Sequence, residues 1–561
     1  MSKTGLQNRI EMPTFSLAQR DEYFDKLRHE SWDVLIIGGG INGAGVARDL
    51  ALSSSIEKLD LKIALIEKNH FGSGTSSKNS QLVHGGLRYL KYLNFPLVRE
   101  ALSERKTLMR IAPHLVRPQP FLLPFRHLAS SVYYSAGLLL YDALAGKSAI
   151  KNFQRVSGNE LTHIAPMLNH NSAHSAAIFY DGVMEAARLV LANLQDAIKH
   201  GAIAVNYVEA DHFLLDGSNR IIGISARDKL SGRELEIKAR VTVNATGPWG
   251  DLLRSKSSSR DRTLRLVRGS HLIFPKLFDD KLALSFFEKD GRIVFAIPWG
   301  ADGELTLVGT TEALHTENPD GVEMSADEQE YLIHAVSRWL PKIVHAKPVG
   351  NYSSLRPLID GNSSSLSSAS RNARIWIGTD KMINIAGGKY TTYRPMAAAA
   401  AKLVFRELKI GLQQKELTAT HPLGTLSPAL ESEREKQRIS SEFGLDETQI
   451  AYLARLYGDK LEVMLLLARS SDGLKRIHPE LPLVFGQIAY AIKHEAAVHL
   501  ADFTSISTYL RYYRRWTRDD ILPMAEFMGA LLDWDAQQMD KEIEAELRWV
   551  RQAAGSTEVE N

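Results

Sequence analysis

The sequence predicts an α/β unit followed by an all-α domain, and three observations carry that prediction. An apolar run, DVLII, ends in glycines at 38, 40 and 43 and passes into helix-compatible residues. A second transition of the same kind runs from Met382–Ala386 through Gly387 and Gly388 into an alanine-rich stretch. From Ser432 onward, strand signals give way to helical runs. The chain is therefore read as an N-terminal arm (1–31), interleaved dinucleotide- and substrate-binding parts (32–412), a linker (413–431), a helical domain (432–554) and a tail (555–561). The substrate part is expected mainly within 80–180 and 260–370.

The arm has no apolar core suited to a secretion signal and is expected as a leader or surface segment. From Trp32 to Glu67 the pattern is strand, tight turn, helix, strand. Gly38 suits a turn at a φ closed to other residues, Gly40 lets a pyrophosphate approach the backbone, and Gly43 lets the helix sit against the sheet. Open amides at the helix start, around Asn42, then face a diphosphate. The second strand, Lys62–Ile66, ends at Glu67, whose carboxylate suits a ribose hydroxyl pair. This is a Rossmann-like site for an adenine dinucleotide without a 2′-phosphate; the triplet alone does not choose between NAD and FAD.

Gly72–Ser80 reads as a close-fitting loop. The hydroxyls of Ser73, Thr75, Ser76 and Ser77 suit phosphate or ribitol oxygens, although a solvated serine loop has the same composition. His84, Gly85, Gly86 and Arg88 put an imidazole and a guanidinium beside two flexible positions. That arrangement suits a ring cofactor and an anionic substrate, or else a surface turn before an amphipathic helix over Leu97–Ile111. Pro113, Pro118, Pro120 and Pro124 are expected to break the next stretch into loop-like pieces. Leu128–Ala145 is the nearest approach to a spanning helix, but it falls short of ~20 continuously apolar residues and contains Asp142. It reads as a buried helix or, with its tyrosines at a headgroup boundary, as a membrane-surface helix.

A helix is expected over Met184–Ile198, and strands over Ile203–Val208, Ile221–Ala226 and Arg240–Gly247. The last enters a glycine loop that suits completion of the dinucleotide site at Gly247, with Trp249 locking its shape. Between Thr263 and Gly309, valine, isoleucine and phenylalanine favour a substrate-side sheet. After a helix over Asp327–Leu340 and a strand at Arg374–Ile377 comes GGKYTTYR. There Gly387 and Gly388 permit close approach, and Lys389 and Thr391 stand at a helix start whose positive end favours developing negative charge.

Composition narrows the function. The 561 residues, 44% apolar, can build two or three domains, and 68 basic against 65 acidic side chains leave no field that suggests nucleic acid. The absence of cysteine excludes disulfides, thiolate nucleophiles and cysteine-ligated clusters, so a redox enzyme of this composition borrows its electron carrier. No metal is expected. Within the helical domain, YLRYYRRWTR (Tyr509–Arg518) reads first as helix packing with a charged outside; membrane or partner binding and nucleic-acid stacking are the alternatives. The domain itself is expected to cover the catalytic unit or to mediate assembly into a homodimer.

Several separated stretches resemble the FAD-dependent (aerobic, bacterial-type) glycerol-3-phosphate dehydrogenase family: VLIIGGGINGAG, GTSSKNSQLVHGGLRYL, NATGPW, RGSHLIFP, FAIPWGADGELTLVGTTE, SLRPL and IAGGKYTTYR, in this order over roughly residues 31–410. The resemblance implies an FAD-binding domain of the glutathione-reductase/D-amino-acid-oxidase type. It also implies oxidation of sn-glycerol 3-phosphate to dihydroxyacetone phosphate, with hydride passing from C2 to flavin N5 and electrons going on to ubiquinone. The expected location is peripheral, on the cytoplasmic side of the bacterial inner membrane, with a soluble cytoplasmic form as the alternative. An oxidase branch using oxygen and a noncatalytic flavin-binding scaffold are the competing functions.

On matching motifs, the resemblance places Arg88, Tyr89, Arg356, Arg371, Lys389 and Thr391 around the substrate anion, with His271, Lys389 and Arg356 as catalytic groups and His271 as the base or hydrogen-bond partner. Flavin contacts fall on Gly38, Gly40, Asn42, Gly43, Glu67, Thr75, Ser76, Ser77, His84, Gly85, Gly247, Gly387, Gly388 and Lys389. Two departures stand out. Gln81 replaces an expected lysine, and Ile506 and Ser507 occupy the places of a paired arginine in the terminal helices. No calcium-binding hand pattern is present at the carboxy terminus.

Overall fold

The run SWDVLII over Ser31–Ile37 is fully buried from Val34 onward, as a central parallel strand must be. It pairs in parallel with Ile63–Ile66 on one side and Glu234–Asn244 on the other. Ile203–Val205 extends the sheet beyond the first partner, and Ile383–Gly387 lies parallel beyond the second, with Ala373–Ile377 antiparallel at the edge. Val208–Leu215 and Ile221–Asp228 form a hairpin laid against Glu234–Asn244. The computed structural model describes residues 15–257, 263–278, 281–288, 291–301, 303–359, 373–414 and 416–554.

Helices α1 (Leu17–His29), α2 (Ile41–Glu57), α3 (Phe95–Ile111), α4 (Leu128–Ala145), α5 (Ala186–Lys199), α6 (Ala326–Ser337) and α7 (Tyr393–Leu408) complete the α/β part. Of these, α2 packs between α5 and α7. The second sheet has ten strands, drawn from 82–184 and 264–359. Between those segments the chain returns to the first sheet, so the two units are interleaved.

Three expectations are corrected. The proline-rich stretch is a single ten-residue strand, Val116–Phe125, rather than loop pieces. Pro118, Pro120 and Pro124 occupy alternate positions, so their missing N–H groups fall on one edge, while the strand on the far side pairs only with Phe121 and Leu122. The arm is no surface leader over its described part. In α1, Arg20 is 2% exposed, donates to the Asn206 carbonyl (2.8 Å) and pairs with Asp228 (2.6 Å), and Phe15 stacks on Phe71. YLRYYRRWTR is not an amphipathic helix. Only Leu510–Tyr512 form a short 3-10 turn, and Tyr509, Tyr512 and Trp516 are buried.

Beyond a connection containing Leu417–Thr420 and Pro428–Leu430, seven α-helices among the described residues, from Glu433–Phe443 to Ala536–Ala554, surround a core of their own. The expected tail, 555–561, lies outside the described residues. Contacts with the α/β unit are buried and specific. Arg188 of α5 forms an ion pair with Glu495, whose side chain is fully buried and also accepts from Ser507. The Tyr509 hydroxyl accepts from the Ala187 amide at 2.8 Å, and Tyr509 and Tyr512 pack on Trp299.

Removing one partner of a buried ion pair strands the other charge, at about 3–5 kcal/mol. Arg188→Met is therefore expected to destabilise the chain by that amount in denaturant unfolding, with most of the loss recovered in Arg188→Met/Glu495→Leu. A loss below about 1 kcal/mol would show that the pair does not clamp the two units.

Candidate functional site

A cavity of about 460 Å³ opens where the carboxyl ends of the parallel strands meet the second sheet, the usual place for a ligand in such a fold. One end is built by the first glycine turn. Gly38 has φ +108°, and a Cβ there would lie 2.7 Å from the Ala245 carbonyl oxygen. A Cβ on Gly43 would fall 1.9 Å from the Gly38 oxygen, so only glycine lets α2 press this close to the strand. The Ile41 amide donates to Ser76 Oγ at 2.9 Å, holding the serine loop on the helix start.

Glu67 lines the cavity beside that turn and accepts from the amides of Gly39 (2.7 Å) and Asn69 (2.9 Å). Burial pushes its carboxyl upward, opposed by those two amides. Gly40, Asn42, Thr75 and Gly247 also line this end. Trp249 lines it too, with its indole N–H on Asp320 (2.9 Å) and Lys68 over its ring, so it is a wall rather than only a loop lock. Three expected contacts lie outside the cavity lining: Gly43 is packed on the Gly38 oxygen, Ser77 turns its hydroxyl to the Gly74 carbonyl, and Gly85 is packed against Tyr141 and Leu102.

The other end is the second glycine turn. Gly387 and Gly388 have φ of +72° and +84°, followed by Lys389, Tyr390 and Thr391 in the lining. Thr391 Oγ1 accepts from the His84 amide (3.2 Å), and Lys389 Nζ sits 3.6 Å from the centroid of the Tyr89 ring. Arg356 donates to Thr310 Oγ1 (2.8 Å) and the Thr311 carbonyl (3.1 Å), and a Cβ on Gly269 would collide with its guanidinium. Arg88 makes a two-point pair with Glu312 at 2.8 and 3.1 Å, which cancels much of its charge toward an incoming anion. Arg371 lies outside the described residues.

His271 closes this end. It is 2% exposed, its Nε2 is 2.8 Å from Ser80 Oγ, and its Nδ1 is buried with no hydrogen-bond partner among the described residues. Burial, and then the neighbouring Arg356, depress its pKa to about 3, so the ring is neutral and able to accept a proton. Phe121, Phe179, Phe287 and Phe295 wall the same end.

The sequence reading missed Glu312 and Ser80. An acid just after the strand Leu305–Gly309 was a usable signal for the first; nothing distinguished Ser80 from its serine neighbours. Gln81, at the expected lysine position, is buried outside the lining, donating to the Ser77 carbonyl (2.9 Å) and accepting from the Ala186 amide (3.0 Å). Lys78, three residues earlier, lines the cavity instead, and burial lowers its ammonium to about 8.

The residues present fit an adenine dinucleotide. A glycine cradle closed to any Cβ sits at one end, an acid lies beside it, and a buried imidazole joins the lining at the other. Comparison with known proteins agrees. Residues 33–394 match the family model described as FAD dependent oxidoreductase, and residues 420–539 match the C-terminal domain of alpha-glycerophosphate oxidase. A probable mitochondrial glycerol-3-phosphate dehydrogenase of Caenorhabditis elegans is 32% identical, over 95% of this chain and 75% of its own. The aerobic glycerol-3-phosphate dehydrogenase of Bacillus subtilis is 31% identical, over 94% and 96%. The crystal structure of the glycerol-3-phosphate dehydrogenase from Bacillus halodurans with FAD superposes with a TM-score of 0.77 at 25% identity, covering 98% of this chain and all of that one.

Buried histidines give the fold an acid limit. His271 and His114 are held down to about 3 and His494 to about 4, burial being the largest cause each time. The unfolded chain protonates these rings near pH 6.5, whereas the folded chain does not until about pH 3–4. Stability is thus full above about pH 6.5 and falls on acidification, by at most about 1.4 kcal/mol per pH unit for each ring. His114→Gln is expected to flatten the slope of unfolding free energy between about pH 6 and 4 by one such increment. An unchanged slope would refute the assignment.

Proposed function

The chain belongs to the family of FAD-dependent glycerol-3-phosphate dehydrogenases, and on that premise we propose that it oxidises sn-glycerol 3-phosphate to dihydroxyacetone phosphate and delivers the electrons to a quinone at a membrane surface. The observation that carries this reading is a neutral buried imidazole beside Arg356, in a cavity whose lining also includes Lys389 and the dinucleotide cradle. Bound FAD supplies the two-electron acceptor. The protein's own part is to hold the alcohol, take its proton and keep water out.

Arg356 offers a planar set of donors to a phosphate and is held in place by the Thr310 hydroxyl and Thr311 carbonyl. Arg88, steadied by Glu312, orients more than it attracts. The neutral His271 imidazole receives the C2 hydroxyl proton, with cavity-lining Ser80 Oγ 2.8 Å from its Nε2. A bound phosphate offsets the field of Arg356, one of the two causes that depress this imidazole, and so makes it a stronger base when substrate is present. Lys389 and Arg356 stabilise alkoxide character as the C2 hydrogen leaves. The phenylalanine wall excludes solvent from the reacting carbon.

The membrane reading rests on α4. It exposes Leu128, Val132, Tyr133, Leu139 and Leu140 on one side. On the other, Tyr134 stacks on Phe287 (4.5 Å) and Phe125 (6.0 Å), and Phe287 lines the cavity. An exposed apolar face thus continues inward as an aromatic column to the His271 end of the cavity, the kind of approach a quinone needs. Among the described residues no helix is long and apolar enough to cross a membrane.

Anaerobic mixing of the holoenzyme with sn-glycerol 3-phosphate is expected to bleach oxidised flavin, while glycerol and glycerol 2-phosphate do so poorly; no bleaching by the 3-phosphate would overturn the reading. His271→Asn is expected to lower the reduction rate about 10²–10⁴-fold with flavin content unchanged. Arg356→Gln is expected to lower kcat/KM about 10²-fold, mainly through KM. Replacing Leu128, Val132, Tyr133 and Leu139 by serine is expected to weaken flotation with lipid vesicles at least about tenfold. Unchanged flotation would remove α4 from the membrane surface. Full turnover in air with peroxide formation and no quinone would assign oxygen as the acceptor.

A further inference from the structure

Away from the cavity, where α5 ends against the connection to the helical domain, we propose that Asp196, His200 and His421 form a binding site for a divalent transition cation of the zinc class. Asp196 and His200 stand four residues apart at the C-terminal end of α5, on one face. His421 arrives from the segment leading into the helical domain. Asp196 Oδ1 lies 3.5 Å from His200 Nδ1 and 3.7 Å from His421 Nε2, and one donor atom from each residue lies within 4.8 Å of the other two. A tetrahedral ion with bonds of about 2.0–2.1 Å needs ligand atoms roughly 3.3–3.4 Å apart. Two of the separations are already close to that, and the third lies within 4.8 Å.

The surroundings organise the trio and select the ion. Arg48 is 1% exposed, donates to Asp196 Oδ2 (2.7 Å) and donates to the His421 carbonyl (2.7 Å), so it pins both ends of the site and leaves Oδ1 for a ligand. His200 caps α5, where the helix's negative end favours a cation. In the metal-free chain His200 Nδ1–H donates to the Asp196 carbonyl (2.8 Å), so a bound ion takes the place of that proton on Nδ1; the ring meets His421 edge-on at 5.3 Å. Two imidazoles and one carboxylate oxygen suit Zn²⁺ rather than Mg²⁺ or Ca²⁺. His421 is a third exposed, which gives an ion access and leaves room for water as fourth ligand. Bound there, the ion ties α5 to the connection and strengthens the junction between the two units.

The test uses untagged, chelator-treated holoenzyme. Calorimetric titration with Zn²⁺ is expected to show one saturable site per chain, absent with Mg²⁺, and Co²⁺ is expected to develop the intense visible bands of a tetrahedral nitrogen–oxygen site. Zn²⁺ is expected to raise the unfolding temperature of the native chain and not that of H421A, whose flavin content and metal-free unfolding temperature remain native. H200A/H421A is expected to lose the titration altogether. Saturable binding that survives in H421A and H200A/H421A, equal binding of Mg²⁺, or a Co²⁺ complex without tetrahedral bands would overturn the proposal.

Discussion

The oxygen of Gly38 occupies the space a side chain at position 43 would need, and this close approach sets the rest of the architecture. Because α2 is pressed against the turn, its opening amides face the cavity, and two distant segments register on them: the serine loop through Ser76 and the second strand through Glu67. The second glycine turn reaches the same cavity for a topological reason. Ile383–Gly387 runs parallel beside Glu234–Asn244, which runs parallel beside Ser31–Ile37, so both turns emerge at the carboxyl end of one sheet. Close packing at a single helix start thus aligns groups separated by most of the chain.

At the far end the constraint is electrostatic. Arg88, Arg356, Lys389 and Lys78 converge on a partly apolar space, an arrangement costly to maintain without partners. Each has a different solution. Arg88 is neutralised by Glu312, Lys389 rests on the face of Tyr89, Arg356 is bonded to a hydroxyl and a carbonyl, and Lys78 is depressed toward neutrality. Arg88 is met by a full opposite charge, while the partners named for Arg356 and Lys389 are polar or aromatic groups, and four cations thus share one lining. The same burial that makes the field strong keeps His271 uncharged, and a positive field and a neutral base therefore coexist within one pocket.

Local patterns were legible in the sequence. Both glycine turns, the strand before each and helix α4 at Leu128–Ala145 lie where the residues put them. What was not legible depends on partners distant in the chain. Proline disqualifies a strand only where its missing N–H faces a neighbour, and the alternate spacing of Pro118, Pro120 and Pro124 says nothing of which edge that is. YLRYYRRWTR reads as helix packing with a charged outside, whereas Tyr509 and Tyr512 pack against Trp299 from an irregular segment. Ser77 and Ser76 are equivalent in composition, yet backbone direction sends one to the cavity and the other to the Gly74 carbonyl.

The departure at Ile506 and Ser507 has a physical counterpart in the interface. A fully buried carboxylate at Glu495 requires a cation and hydrogen bonds, and here the cation comes across the domain boundary from Arg188 while Ser507 supplies a hydroxyl. Docking of the helical domain is thereby coupled to α5, whose preceding Ala187 amide is bonded to Tyr509. Tyr512 in turn meets Tyr352, which lies against the His271 ring at 5.0 Å. The helical domain is therefore part of the wall that desolvates the base. A change in its seating would alter the burial that is the larger cause of the imidazole's neutrality, without moving any residue that contacts substrate.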